Sequence, residues 1–493
     1  MTADLSSLTA ESSSRRAALV ARLETEGVLT DPRVREALLR VRREVLLPHA
    51  YLRVSGPAAD PIDWRLLDGS HPDDREEWLD LVHEGDSVLL QRDGEPLDAL
   101  GRGPVTGGHM TSMSSGLPFT VEGLQTLQLA PAQRFLDLGT GPGIALALAA
   151  TITGPGYGSG VEGNRHMAVF AQRNLDRLAF GVQVVTGDAL DGDPASAPYD
   201  RVHSGFGVPC VPSAWVDQLA PGGRLLTTLT TVTPSWPGQL LITRTPQGRI
   251  EAVLRGGLRG TRPLLGYQWL TAGHHRSRID AEPGRPRATR LAPPQRTSHG
   301  FWLAASYLAP GLMWDIRDDT MRIVTPDSDS WAVPGPEEGT VRVHGPRDVW
   351  AELEALHDRW ERAGRPDTYR VDLAVATPRP PAVPDRTDSQ RGGPARALGR
   401  SAARPGSRCL SARRATRGPP PFPRCAVCGR CPGRPPWRTA HEARCPKRLT
   451  PLVGSCRPGT GTPREYTREL DGQRHIMGQL NTADTAHPEE AGT

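Results

Sequence analysis

Lysine is almost missing from this chain: Lys447 stands alone against 58 arginines in 493 residues. Such a skew follows codon composition in GC-rich DNA and does not by itself signal a polyanionic partner. Cysteine is scarce as well. Only Cys210 falls within residues 1–376, and the other six lie between 409 and 456. One thiol excludes a disulfide framework over that stretch and suits a reducing compartment. No apolar run reaches the ~18–20 residues of a membrane span. The opening MTADLSSLTAESSSRRAAL has no apolar core ahead of its charges, which predicts no secretory leader. A soluble, cytoplasmic protein without membrane attachment is expected.

Basic charge is also absent from the body of the chain. The net charge is +4, yet residues 377–493 carry 20 Arg and one Lys against nine Asp and Glu, a net +12, which leaves residues 1–376 at −8. An acidic body offers no basic surface for a nucleic acid, so no specific nucleic-acid partner is expected.

Periodicity divides the chain. Ala18, Leu19 and Leu23 give a short helical face stopped by Gly27. Asp31-Pro32 then restarts a helix, with an N-cap acid and a first-turn proline, and Val34, Leu38 and Val41 follow at helical spacing up to Pro48. Residues 51–110 read as polar and irregular, with a helix near 75–82. From 120 to 235, strand-like and helix-like runs alternate, at 134–138, 144–151, 158–162, 165–178, 182–186, 199–205, 213–219 and 223–230. This βαβα rhythm predicts a doubly wound parallel sheet. Beyond it, GQLLITRT, RIEAVLRG, MRIVTP and GTVRVHG read as short antiparallel strands. Val349, Leu353, Leu356 and Trp360 share one helical face, closed by Gly364 and Pro366. The division expected is 1–107 for N-terminal helices and an insertion, 108–238 for the core, 239–376 for an accessory α+β domain, and 377–493 for a tail.

The chemistry concentrates in RFLDLGTGPG, residues 134–143. A strand ends on Asp137 and runs into Gly139, Thr140, Gly141 and Gly143. A P-loop would need Gly-Lys-Ser/Thr at the end of the turn, and here the turn ends Gly143-Ile144. A dinucleotide fingerprint needs its third glycine one residue later, and Pro142 sits inside the turn. What remains is G-x-G-x-G with an acid two residues before it, the pattern of sheets that bind S-adenosylmethionine. That cofactor has no phosphates; its amino-acid end is a zwitterion and its sulfur is cationic. Asp137 suits the ammonium group, and the glycines let the turn approach without a Cβ. Glu162, at the end of the next strand and 23 residues after Gly139, suits two ribose hydroxyls. Asp188 and Ala189, after the third strand, suit the adenine. Taken singly, a G-x-G-x-G or a loop aspartate is a weak signal; their order and spacing carry the reading.

With those residues placed, the chain resembles the protein-L-isoaspartate O-methyltransferases. DPRVREALLRVRREVLLPHAY, 31–51, is similar to that family's helix pair leading into its Arg-Glu-x-Phe-Val-Pro segment. Arg43, Glu44, Leu47 and Pro48 match it, and Leu46 stands where an aromatic is usual. HMTSMSSGLPF occupies the place of the family's Thr/Ile-Ser-Gln-Pro segment, without the Gln-Pro pair. Ungapped counting back from Arg134 sets Ser115 on the family's serine, with Ser112 and Thr111 as neighbouring candidates. The resemblance covers roughly 15–50 and 108–235. It implies a class I S-adenosylmethionine-dependent fold, and a carboxyl O-methyltransferase acting on isoaspartyl or aspartyl residues of a protein or peptide. Long variants of this kind resemble methyltransferases encoded with ribosomally made, modified peptides, which leaves a dedicated peptide substrate as an alternative. A small-molecule O-methyltransferase and a non-catalytic cofactor-binding module are the others.

A carboxylate is ionised at pH 7 and needs no general base to attack a methyl group. Neutral donors that orient it suffice, hence Thr111, Ser112 and Ser115 as catalytic candidates; His109 reads as a solvated loop residue. In the tail, Cys425, Cys428 and Cys431 with His441 and Cys445 have zinc-like spacing. The surrounding Pro, Gly, Ala and Arg show no periodicity that could build a knuckle, and a shifted reading frame in GC-rich DNA would give the same mixture. A disordered tail without a metal is expected, and residues 1–376 should fold without it.

Overall fold

The computed structural model describes residues 2–56, 61–97, 101–108, 110–208, 210–229, 238–256, 276–295, 297–309, 312–317, 320–325, 329–376 and 409–414. The chain opens with α1 (Thr2–Thr25), α2 (Pro32–Arg40) and the single turn α3 (Arg43–Leu46). Asp31 caps α2 by accepting from Arg33 N at 2.8 Å, a contact worth about 1 kcal/mol, and Val34, Ala37 and Leu38 bury its apolar face.

Residues 51–110, expected to be largely irregular, instead lie within a five-stranded antiparallel sheet that spans 49–114. It comprises β1 (His49–Arg53), β2 (Asp63–Asp68), α4 (Arg75–His83) packed on it, β3 (Val88–Arg92), β4 (Gly103–Thr106) and β5 (Met110–Ser114), in the order β4-β2-β1-β3-β5. Short strands with polar residues on the open side hide the alternation. Trp64 and Leu66 on β2 are nevertheless buried two residues apart. β5 leads directly into α5 (Leu117–Leu127). Gln125 of α5 locks the N-terminal helices to the core: its Oε1 accepts from Thr30 N and Asp31 N, and its Nε2 donates to Val28 O.

The core follows as β6 (Phe135–Leu138), α6 (Ile144–Thr153), β7 (Gly158–Glu162), α7 (Arg165–Arg177), β8 (Gln183–Thr186), β9 (Tyr199–Val208), β10 (Val211–Pro212), α8 (Ser213–Asp217) and β11 (Leu219–Leu229). β8, β7, β6, β9 and β11 are successive parallel neighbours. The strand order therefore reverses between β6 and β9. In a doubly wound sheet that reversal opens a crevice at the carboxyl ends of the two strands, where ligands bind. The element positions expected from periodicity agree with this core to within a few residues.

The accessory region is divided differently from the expectation. β12 (Gly238–Arg244) continues the main sheet antiparallel to β11, and β13 (Ile250–Arg255) follows antiparallel to β12, rather than starting a separate domain at 239. The separate unit is α9 (Arg276–Ala281), β14 (Arg285–Ala288), α10 (His299–Leu308), β15 (Met313–Arg317), β16 (Thr320–Val324), β17 (Trp331–Pro334), β18 (Thr340–His344) and α11 (Val349–Arg362). Its five strands form their own antiparallel sheet, β14-β18-β17-β16-β15. α11 buries Val349, Trp350, Leu353, Leu356 and Trp360 there, and Asp348 caps it through Ala351 N at 2.9 Å.

The chain then returns to the main sheet as β19 (Thr368–Ala376), antiparallel to β13. Inside the segment expected to be disordered, β20 (Cys409–Arg414) pairs with β19 from Val371↔Arg414 to Ala376↔Cys409, and with β10 at Val211↔Leu410. The open edge of β19 explains the discrepancy: its unpaired N–H and C=O groups favour any strand that reaches them, whatever that strand's composition. The cysteines and histidine with zinc-like spacing lie outside the described residues. Among the described residues no cluster of three metal-ligating side chains occurs, and no helix is long and apolar enough to cross a membrane.

Candidate active site

β6 delivers Asp137 to the crevice and the chain then turns sharply through 139–143. Gly139, Gly141 and Gly143 have φ of 73°, 53° and 91°, the left-handed region that disfavours side chains. Gly139 N and Thr140 N both donate to Val161 O, at 2.9 and 3.2 Å, and Gly143 N donates to Thr140 O at 3.0 Å. The turn is thereby pinned to β7 before any ligand arrives. Thr140, expected at the cofactor, turns its hydroxyl inward to donate to Asp137 O at 3.0 Å and is buried, so its side chain braces the turn.

Glu162 ends β7 facing that turn. Its Oε2 accepts from Gly141 N at 2.9 Å and its Oε1 from Asn164 N at 2.9 Å. Burial, with a smaller contribution from nearby Asp137, pushes its carboxyl above the usual carboxylate range. Besides these two, the Gly163 backbone also interacts with the carboxylate; a carboxylate offers about four acceptor sites, which leaves capacity for a vicinal diol. Asp188 lies after β8 and is exposed; its Oδ1 accepts from Leu190 N at 2.9 Å. Ala189 beside it is buried, and its carbonyl accepts from Trp215 Nε1 at 2.7 Å.

Asp137 has a buried partner that the sequence did not reveal. Its Oδ1 lies 2.9 Å from His203 Nδ1, and both residues are buried. The β6–β9 register pairs Asp137 directly with His203, so their side chains share a face. His203 was missed because it lies 66 residues away; only the strand order brings the two together. Phe206 was missed as well. A Cβ on Gly139 would lie 2.6 Å from its ring, so that glycine is required by packing as well as by ligand approach.

Thr111, Ser112 and Ser115 have different surroundings. Thr111 and Ser112 belong to β5, where neighbouring side chains point to opposite faces. Thr111 Oγ1 donates to Gln91 Oε1 at 3.0 Å and accepts from Gly94 N at 3.0 Å, which commits it to the N-terminal sheet. Ser112 is buried on the other face, against the glycine turn. A Cβ built on Gly141 would meet Met113 O at 3.4 Å and Ser112 Oγ at 4.0 Å. Ser115 follows the strand, half-buried, and its carbonyl accepts from Ser114 Oγ at 3.3 Å. His109 lies outside the described residues.

The bare glycine turn, the Glu162 carboxylate beyond it and the buried Asp137 fit S-adenosylmethionine. Fold and site together define a class I S-adenosylmethionine-dependent methyltransferase. Residues 107–235 match the family model for protein-L-isoaspartate(D-aspartate) O-methyltransferase. The protein-L-isoaspartate O-methyltransferase of Aeropyrum pernix is 30% identical over 241 residues, which span 48% of this chain and 74% of that one. That of Pyrococcus abyssi is 32% identical over 177 residues, spanning 36% of this chain and 76% of that one. A solved protein-L-isoaspartate O-methyltransferase superposes with a TM-score of 0.40 at 22% identity, covering 72% of this chain and 96% of its own. The chain belongs to the protein-L-isoaspartate O-methyltransferase family.

Proposed function

We propose that this protein esterifies the free carboxylate of an isoaspartyl residue in a protein or peptide, in the cytoplasm, with Ser112 as the donor that orients it. Family membership supports the reaction, and one observation carries the residue assignment: the Ser112 hydroxyl lies on the face of β5 that packs over Gly141. When bound, S-adenosylmethionine supplies a methyl group on a cationic sulfur that leaves as a neutral thioether.

The chain's own contribution is positioning. The acceptor carboxylate is already ionised near neutral pH and no residue has to remove a proton from it. A neutral hydroxyl can hold one of its oxygens without quenching the charge on the other. Fixing the acceptor in line can supply several kcal/mol of rate enhancement, up to about 7–11 in the best-oriented systems. β5 places that hydroxyl on a strand of a sheet, which holds it more rigidly than a loop would. Glu162 is proposed for the ribose hydroxyls, Asp137 for the ammonium group, Gly139, Gly141 and Gly143 for close approach, and Asp188 with Ala189 for the adenine.

A second reading has its own support. The family model ends at residue 235, whereas the described chain continues through β12, β13, the unit at 276–365 and β19. An added unit of that size favours recognition of one dedicated peptide, with methylation of its aspartate, over repair of damaged proteins generally. Incubation with labelled cofactor and an isoaspartyl peptide, an aspartyl peptide or no acceptor separates the readings. Base-labile label on the isoaspartyl peptide is expected. Label on aspartyl peptide alone favours the second reading, and retained cofactor binding without label overturns both.

A further inference from the structure

We propose that His203 is a positioning residue that aims the Asp137 carboxylate at the cationic amino group of the cofactor; this rests on the cofactor assignment above. Backbone donors at the turn give the first reason. Gly139 N and Thr140 N are spent on Val161 O, Gly141 N on Glu162, and Gly143 N on Thr140 O, while residue 142 is proline. Thr140 Oγ1 goes to the backbone carbonyl of Asp137. None of these reaches the Asp137 side chain, although a buried carboxylate needs a donor. His203 Nδ1, at 2.9 Å, supplies it to Oδ1 and leaves Oδ2 for a second donor.

The flanks of the pair give the second reason. On one side of β6, Asp137 is registered with His203; on the other it is registered with Gly160, which has no side chain to hold a carboxylate. The His203 ring is itself confined. A Cβ on Gly123 of α5 would lie 3.4 Å from Nε2 and 3.6 Å from both Cδ2 and the Leu226 side chain. The Phe119 ring centroid lies 6.5 Å away. Nε2 is buried and makes no hydrogen bond, so the ring's polar contact is the one it makes with Asp137. The result is a carboxylate whose direction is fixed by an apolar-walled imidazole, located where the strand order reverses. Such an arrangement selects a ligand with a positive charge at that point.

The test compares S-adenosylhomocysteine with its deaminated analogue by calorimetry, in wild type, His203→Leu and His203→Asn. His203→Leu keeps an apolar body and removes the donor; His203→Asn keeps an N–H. His203→Leu is expected to weaken S-adenosylhomocysteine about ten- to a hundredfold, as for a lost bond to a charged group, and the analogue less than threefold. His203→Asn should recover part of the difference. Equal losses for both ligands in a folded variant overturn the proposal. Should His203→Leu fail to fold, the wild-type imidazole decides the matter: its Nδ1–H resonance should shift with S-adenosylhomocysteine and not with the analogue, and identical shifts overturn the role. If wild type binds neither ligand, the cofactor assignment fails instead.

Discussion

Gln91 Oε1 accepts from Asn164 Nδ2 at 3.0 Å, and through this contact the N-terminal sheet grips the connection between β7 and α7. Asn164 caps α7 with its own Oδ1, through His166 N and Met167 N, and its backbone N–H holds Glu162. The same Gln91 oxygen accepts from Thr111, and its Nε2 donates to Glu95 O at 2.8 Å. A fully buried amide with all three partners joins β3, β5 and the start of α7.

Gln91→Leu therefore leaves Asn164 and Thr111 without their acceptor. A loss of about 1–3 kcal/mol in unfolding free energy is expected, together with a severalfold weaker affinity for S-adenosylhomocysteine because Asn164 no longer fixes Glu162. Denaturant melts and calorimetry read the two effects separately. Lower stability with unchanged affinity would confine Gln91 to packing.

Cofactor binding should weaken as pH falls, and Glu162 should be the cause. Burial raises its carboxyl above the usual value, so without ligand the folded state holds this proton to a higher pH than the unfolded state does. Its contribution to stability is then greatest in acid and declines as pH rises through the folded-state value. A diol that donates to both oxygens favours the ionised form, so binding expels the proton, and below the raised value affinity drops with falling pH. Glu162→Gln should flatten that profile and weaken binding at neutral pH by roughly 1.5–3 kcal/mol per bond lost. Calorimetry in buffers of different ionisation enthalpy checks the proton release.

The three hydroxyls near β5 should separate cleanly. Ser112→Ala is expected to lower kcat about ten- to a thousandfold with little change in cofactor affinity. Thr111→Val should cost stability, since Gln91 and Gly94 lose their partner, with a smaller effect on turnover. A severe Ser115→Ala beside a silent Ser112→Ala would return the role to the residue that ungapped counting favours.

Two truncations test the tail. A chain ending at Ala376 exposes the whole edge of β19, whereas one ending after Arg414 keeps β20. The shorter chain should be less stable by roughly 0.5–1.5 kcal/mol for each lost strand-to-strand hydrogen bond that water does not replace, and more prone to associate through the bare edge. Equal thermal midpoints would restore the sequence expectation that residues after 376 contribute little to the fold.

Elements with strong local periodicity were legible: the strand at Asp137, the helix after Gly143, the strand ending on Glu162, and the α11 face of Val349, Leu353, Leu356 and Trp360. The glycine turn was legible because its chemistry is contiguous. What escaped depends on contacts between distant residues. Asp137 and His203 meet only through strand order, and Gln91 meets Thr111 and Asn164 only once β3 and β5 pair. Ser112 and Thr111 look equivalent in a loop; a strand sets them on opposite faces. The tail strand escaped for another reason: composition weighs side chains, and β20 is held by the needs of a neighbour's backbone.

The pairing of Arg255 with Thr368 makes β13 and β19 two arms of one hairpin, with α9 through α11 lying within its loop. A body spliced into a hairpin enters and leaves at adjacent points, so its size imposes only a slowly growing entropic penalty on the host sheet. Replacing residues 257–367 by a short Gly-containing turn should leave the strand pairing of the host intact. The same geometry describes a socket: a lineage could exchange one inserted body for another there without touching the glycine turn.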